Sequence, residues 1–169
     1  FCPQGLKAKG DNYNNIFQAG YLVGDMINLT NCKFEHGEFY ELDRGFDFYA
    51  PQTVVCNDGR KVLIGWMGLP EIEYPSDKNG WAHCLTIPRE LNLKNNKLTQ
   101  KPIHELKILR NKKIRQTYIL QNEEIIINNY NEKIYEMICT FKRIEGKKVG
   151  IKLKKGDTEK TLFYYDIQQ

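Results

Sequence analysis

This chain lacks cysteines and histidines at the spacing of metal ligands. It has five cysteines and three histidines in 169 residues, with no C-x-x-C pair and no histidine near a cysteine at ligand spacing. The odd number and wide spacing of the cysteines also argue against a disulfide framework. We therefore expect no metal and no organic cofactor. The free thiols are expected to be mostly buried in a reducing cytoplasm, and they are Cys2, Cys32, Cys56, Cys84 and Cys139.

Long apolar runs are also missing, so no segment can span a membrane as a helix and no membrane partner is expected. The net charge of +4 is modest but uneven. Residues 1–100 carry 10 basic against 12 acidic side chains, whereas residues 101–169 carry 15 against 9. The shift indicates two structural regions. The lysines of the second region alternate with Glu, Asn and Ile rather than with stacking aromatics, so nucleic acid is not expected as a partner.

Aromatic residues are abundant, at 12% of the chain, and they favour β structure. Short strand-like runs recur every ten to fifteen residues, which is typical of an all-β sandwich, barrel or propeller. The Asp-Gly dipeptide within residues 57–60 predicts a hairpin. A second hairpin is predicted between the runs 88–93 and 98–100, which a Lys-Asn turn joins. Helical spacing of apolar residues predicts one short helical segment at 101–110. The predicted strands are 16–24, 34–42, 46–56, 61–67, 81–85, 88–93, 98–100, 114–120, 124–127, 134–143, 148–154 and 160–165.

The run at residues 45–53, followed by residues 59–68, combines an acid, aromatic rings, an amide and a tryptophan. Aromatic faces cover the C–H faces of a sugar ring, while acids and amides bind its hydroxyls. This combination of side chains therefore indicates a sugar-binding site.

Several motifs in residues 1–110 resemble glycoside hydrolase family 32, the β-fructofuranosidases. They are Asp47-Phe48-Tyr49-Ala50-Pro51-Gln52-Thr53, Ile64-Gly65-Trp66-Met67-Gly68, Gly80-Trp81-Ala82-His83-Cys84-Leu85-Thr86-Ile87-Pro88-Arg89-Glu90-Leu91, Cys2-Pro3-Gln4-Gly5 and Gln18-Ala19-Gly20-Tyr21. The resemblance implies a five-bladed β-propeller followed by a β-sandwich. Residues 1–100 would be the C-terminal part of the propeller catalytic domain, 101–110 a short helical linker, and 111–169 the N-terminal part of the sandwich.

The same resemblance implies a retaining β-fructosidase that hydrolyses sucrose or sucrose 6-phosphate to fructose and glucose or glucose 6-phosphate. Such enzymes use an Asp nucleophile, a Glu acid/base and a third Asp, found in W-M-N-D-P-N-G, E-C-P and R-D-P runs. None of these runs occurs here. We therefore assign no catalytic residue and expect a fragment that is inactive by itself.

By matching motifs, the resemblance implies three substrate-binding residues, Asp47, Tyr49 and Trp66. Each also has a purely structural interpretation, as a turn acid or as part of a blade core. Gln52 is a weaker candidate, because regular strand alternation places it on the opposite face from Tyr49. For a phosphorylated substrate, the candidate cations are Arg44, Arg60 and Lys78.

A different class of function also fits the residues, namely a stand-alone, non-catalytic carbohydrate-binding or interaction module. In either case, an incomplete propeller would leave strand edges open. We therefore expect self-association of the chain through exposed propeller edges.

Overall fold

The computed structural model describes residues 1–45, 47–127, 134–142, 144–153 and 160–167. Within these ranges the regular structure consists of strands and two 3-10 helices, which confirms the all-β prediction. The chain divides into two compact units, Phe1–Ile108 and Leu109–Gln169. Residues 46, 143 and 154, which were part of predicted strands, lie outside the described residues.

The first unit opens with a short antiparallel pair, β1 (Gly20–Tyr21) and β2 (Tyr40–Glu41). The sequence predicted longer strands here, at 16–24 and 34–42. Pairing becomes irregular after β1 and continues as isolated bridges, between Gly24 and His36 and between Asn28 and Lys33. The irregularity shortens both predicted strands to two residues.

The main sheet of the first unit is antiparallel and follows in the order β3-β4-β6-β7, with β5 beside β4. Its two hairpins were predicted, and the turn residues explain both. Gly59, in the β3–β4 turn, has φ +84°, and Asn95 and Asn96, in the β6–β7 turn, have φ +50° and +57°. Positive φ values at both central residues of the β6–β7 turn match a type I′ turn, which suits the twist of the flanking strands. The strands are β3 (Phe48–Val55), β4 (Lys61–Met67), β5 (Cys84–Leu85), β6 (Arg89–Lys94) and β7 (Lys97–Pro102).

Thr86 fastens the segment between β5 and β6 onto β4. The Gly65 N–H donates to Thr86 Oγ1 at 3.0 Å, and the Thr86 N–H donates to the Gly65 carbonyl at 2.9 Å. Thr86 is buried, so its hydroxyl oxygen and its N–H need these hydrogen-bond partners. The two bonds fix the position of the backbone next to Trp66.

The core of this unit is small and lies under β3 and β4. Ala19, Phe48 and Leu63 form a buried cluster, with exposures of 3%, 2% and 1%. The Phe48 ring lies directly against Gly65, where an added Cβ would be 2.2 Å from Phe48 Cε2. Arg89 covers the same ring, with its guanidinium carbon 5.3 Å from the ring centroid, and pairs with Asp43 at 2.6 Å. The residues that flank Asp47 and Trp66 are thereby held tightly.

A 3-10 helix at His104–Leu109 lies in the segment predicted to be helical, after β7 has run to Pro102. Arg60, from the β3–β4 hairpin, anchors it: its Nη2 lies 2.6 Å from Glu105 Oε1 and its Nε 2.6 Å from Asp58 Oδ2. The hydrogen bond from Arg60 lowers the pKa of Glu105 to about 2.

The second unit contains one antiparallel hairpin, β8 (Lys148–Leu153) and β9 (Thr161–Asp166), where strands were predicted. The predictions of strands at 114–120, 124–127 and 134–143 are wrong for the residues that the structure describes, since none of those is in a strand. Side-chain ion pairs, Arg110 with Glu136 and Lys152 with Glu124, connect these segments instead. The β-sandwich assigned to residues 111–169 stays a prediction.

Candidate functional site

Two of the three predicted substrate-binding residues lie side by side. Tyr49 on β3 and Trp66 on β4 are directly opposite one another in the strand register. Directly opposed residues of an antiparallel pair point to the same face of the sheet. Both side chains are half-buried. The pair therefore forms a partly exposed aromatic row across the first two strands.

Tyr49 is held from its other side by the segments that precede the sheet. Its ring lies 5.2 Å from the ring of Phe17, and its hydroxyl accepts a hydrogen bond from Gln4 Nε2 at 3.3 Å. A phenol hydroxyl can donate as well as accept, so it retains its own proton for a further partner. Tyr49 also packs against the buried cluster. Its ring is thus fixed while its hydroxyl remains able to bind.

Asp47 occupies the turn immediately before β3, two residues from Tyr49. Its pKa is raised, first because the carboxylate is partly desolvated and second because the charge of Glu71 acts on it. Glu71 lies in the segment that follows β4, and it is exposed. It nevertheless lies near enough to disfavour the ionised form of Asp47. Asp47, next to the strand that carries Tyr49, therefore lies within the electrostatic influence of a second carboxyl group.

The loop between β4 and β5, residues 68–83, adds two rings that the sequence did not indicate. The His83 ring meets Trp66 edge-on, with centroids 5.0 Å apart, and meets Tyr74 edge-on at 4.9 Å. No local pattern predicts these contacts, because the residues are brought together only when the loop turns back on β4. The aromatic row thus continues as a cluster of Tyr49, Trp66, His83 and Tyr74.

Gln52 was predicted to lie on the opposite face from Tyr49 because of regular strand alternation, and that prediction is wrong. The register pairs Tyr49 with Trp66 but Gln52 with Ile64, so β3 contains one extra residue between these two pairs. Ile64 and Trp66 are two residues apart on β4 and point to the same face. The bulge therefore moves Gln52 to the face of Tyr49, where it is exposed.

The expected burial of the thiols is also corrected. All five cysteines are free, but Cys32, Cys84 and Cys139 are exposed, and Cys2 and Cys56 are half-buried. Cys2 packs against the core cluster but is only half-buried, because the core consists of a few side chains under β3 and β4 and is too small to cover the thiols.

Among the described residues, no group of three or more His, Cys, Asp or Glu side chains could hold a metal ion. Within the described ranges, none of the helices has the length and apolar character needed to cross a bilayer.

Of the three candidate phosphate-binding cations, Arg60 is paired with Asp58 and Glu105. Arg44 is 63% exposed and lies 3.7 Å from Glu41. Arg60 is thus the less available of the two arginines.

Comparison with known proteins relates the chain to one family. Residues 1–102 match the model of the glycosyl hydrolases family 32 N-terminal domain. Sucrose-6-phosphate hydrolase of Staphylococcus xylosus is 42% identical over 169 residues, which is all of this chain and 34% of that protein. The chain therefore spans about a third of the length of this curated relative.

Solved structures agree with the sequence comparison. A β-fructofuranosidase of Bombyx mori, solved as a point mutant in complex with sucrose, matches with a TM-score of 0.62 and 38% identity over 68% of this chain and 24% of that chain. Sucrose-6-phosphate hydrolase from Lactobacillus gasseri matches with a TM-score of 0.58 and 41% identity, over 65% of this chain and 23% of that chain.

Proposed function

The chain belongs to glycosyl hydrolases family 32, and we propose that it supplies one wall of the substrate site in the hydrolysis of sucrose or sucrose 6-phosphate by a retaining β-fructosidase. The observation that carries this proposal is the row of Tyr49 and Trp66 across β3 and β4, with Asp47 at its edge. Relatives named for hydrolysis of this substrate, including one of 42% identity, support it.

Each of the three side chains has a distinct role in this proposal. Trp66 offers an apolar face to the C–H face of the fructosyl ring. Tyr49 donates its hydroxyl proton to a sugar hydroxyl or to a carboxylate. Asp47 accepts a hydrogen bond from a sugar hydroxyl through its carboxylate oxygens. The bond-breaking carboxylates that the family uses lie in runs that these 169 residues do not contain.

We further propose the domain assignment that the family resemblance implies. Residues 1–100 are then the C-terminal part of the propeller catalytic domain, 101–110 the linker and 111–169 the N-terminal part of the sandwich. A cytoplasmic location is also proposed, supported by five free cysteines, three of which are exposed. For a phosphorylated substrate, Arg44 and Lys78 are favoured over Arg60. Arg60 is held by two carboxylates at 2.6 Å, whereas Arg44 is 63% exposed and meets one carboxylate at 3.7 Å.

The test places this chain in the context of a complete enzyme. In the Staphylococcus xylosus hydrolase, the matching third is replaced by these 169 residues, and release of fructose from sucrose and from sucrose 6-phosphate is measured. We expect the chimera to be active. Trp66→Ala should raise KM by about tenfold, which corresponds to the ~1.4 kcal/mol expected for the lost apolar contact. Trp81→Ala is the matched control, since Trp81 is 60% exposed and stands outside the aromatic row.

A chimera in which Trp66→Ala and Trp81→Ala have equal and small effects would contradict the proposed wall. The 169-residue chain alone should release no fructose, because hydrolysis by this mechanism requires two positioned carboxyl groups. Tight binding of fructans by the isolated chain, measured by calorimetry, would instead favour a stand-alone binding module.

A further inference from the structure

We propose that the loop between β4 and β5, residues 68–83, is a positioning device that fixes the indole ring of Trp66 through His83 and Tyr74. The benefit for sugar binding rests on the proposed function of Trp66 as a pocket wall. The positioning itself rests on the contacts of the loop and can be tested without any sugar.

The first observation is a continuous stack of three rings. His83 lies between Trp66 and Tyr74, with centroid distances of 5.0 Å and 4.9 Å and interplanar angles of 66° and 83°. Edge-to-face contacts at these distances are favoured by the ring quadrupoles. A ring that is held from both sides in this way has a defined orientation, and His83 passes that constraint to Trp66.

The second observation is the close approach of the two ends of the loop. Gly68 follows β4 directly, and a Cβ at this position would lie 2.5 Å from His83 Cγ and 2.7 Å from its Cδ2. The imidazole occupies the space that any larger residue would fill. His83 itself has φ +64°, a conformation that non-glycine residues adopt uncommonly. Such a conformation persists where the surrounding structure imposes it.

The third observation is that Tyr74, the outer ring, is fixed by the loop itself. Its hydroxyl accepts a hydrogen bond from the Leu69 N–H at 2.9 Å, and its own N–H donates to Asp77 Oδ2 at 2.8 Å. Asp77 begins the 3-10 helix Asp77–Asn79, whose end is closed by the Gly80 N–H. The loop is therefore folded on itself, and the outer ring gives His83 a stable support.

These contacts make His83 and Tyr74 positioning residues. Immobilising a side chain on binding costs free energy, and a side chain that is already ordered avoids much of that cost. A pocket wall formed by Trp66 gains from being fixed before the sugar arrives. The backbone next to Trp66 is fixed independently, by the hydrogen bonds between Gly65 and Thr86.

The experiment is near-ultraviolet circular dichroism of the 169-residue chain carrying Trp81→Phe, so that Trp66 is the single indole. A fixed aromatic ring gives a near-ultraviolet band that is lost when side-chain packing is lost. His83→Asn removes the ring but tolerates the left-handed backbone, and it should abolish the indole band with the far-ultraviolet spectrum unchanged. His83→Phe, which restores an aromatic ring, should restore the band.

Gly68→Ala tests the same contact while keeping every ring, because the added methyl must displace the imidazole. It should also abolish the band. Gly37→Ala is its matched control, since a Cβ there would meet only the Val23 carbonyl at an ordinary 3.6 Å. If His83→Asn unfolds the chain, Gly68→Ala decides, and if both unfold it, Tyr74→Leu decides from the outer end of the stack.

An indole band that survives these variants in a folded chain overturns the proposal. So does a band that Gly37→Ala abolishes to the same degree, because that would indicate a general loosening. A chimera that fails to bind sugar would remove the proposed function but leave this result standing, since the band does not depend on substrate.

Discussion

Replacing Gly65 by alanine should destabilise the first unit and displace the backbone beside Trp66 at the same time. The added Cβ would lie 2.2 Å from Phe48 Cε2, 2.6 Å from its Cζ and 2.8 Å from its Cδ2. Carbon atoms pack best at about 3.5–4.0 Å, so the intrusion exceeds an ångström. Phe48 is 2% exposed and lies beneath Arg89, so its ring has no free space to enter.

The magnitude follows from the cost of overpacking a core. An extra methyl in a well-packed interior costs about 1–3 kcal/mol, and the short contact distances favour the upper end of that range. Alanine restricts the unfolded chain more than glycine does, which offsets about 0.4–1 kcal/mol. The net loss in the free energy of unfolding is then about 2 kcal/mol. For a unit of this size, such a loss lowers Tm by roughly 8–16 °C.

The assay is thermal unfolding followed by circular dichroism, with Gly37→Ala as the control. That control should stay within about 0.5 kcal/mol of the parent, because its nearest new contact is an ordinary one. Adding Phe48→Leu to Gly65→Ala should recover part of the loss, which a double-mutant cycle would record as a favourable coupling. A Gly65→Ala protein that melts within about 2 °C of the parent would refute the argument.

Three further predictions concern charge and assembly. The pKa of Glu105 lies at about 2, below its ordinary 4.5, so its contribution to stability is present above pH 4.5 and is lost as the pH falls toward 2. Glu105→Gln should therefore flatten the dependence of stability on pH between these values. Urea unfolding at several pH values measures this, and a dependence equal to that of the parent would contradict it. Glu71→Gln should lower the pKa of Asp47 without returning it fully to normal, because burial is the larger cause, and carboxyl chemical shifts followed by NMR against pH would measure this. The isolated chain should self-associate, since β3 is an edge strand that exposes Val54 by 59% and Val55 by 65%, and sedimentation that gives a monomer at every concentration would contradict that.

The parts of the fold that the sequence predicted well are those with local signals. The β3–β4 and β6–β7 hairpins depend on turn residues that tolerate positive φ, and the sequence signalled them as an Asp-Gly dipeptide and a Lys-Asn turn. The segments 114–120, 124–127 and 134–143 have residues that suit strands, but their described residues do not form strands. A strand is a property of two segments, so composition alone overpredicts it.

The residues of the candidate site also include some that the sequence predicted and some that it did not. Motif matching selected Tyr49 and Trp66, and the register confirms that they stand opposite one another, although their contact with sugar stays a prediction. It could not select His83 and Tyr74, which reach Trp66 only through the fold of the β4–β5 loop. The thiols were expected to be buried on chemical type alone, and a small core left three of them exposed.

The bulge in β3 changes the face of the sheet to which the residues after it point. Ala50 has φ +45°, which a regular strand never uses, and one extra residue is accommodated between Tyr49 and Gln52. Because a slip of one residue exchanges the two faces of a strand, every side chain beyond the bulge points opposite to the simple alternation. Gln52 therefore stands on the same face as Tyr49 and Trp66. An amide beside aromatic rings is a combination that sugar recognition uses. In the proposed wall, the bulge would therefore add the amide of Gln52, which regular alternation places on the opposite face.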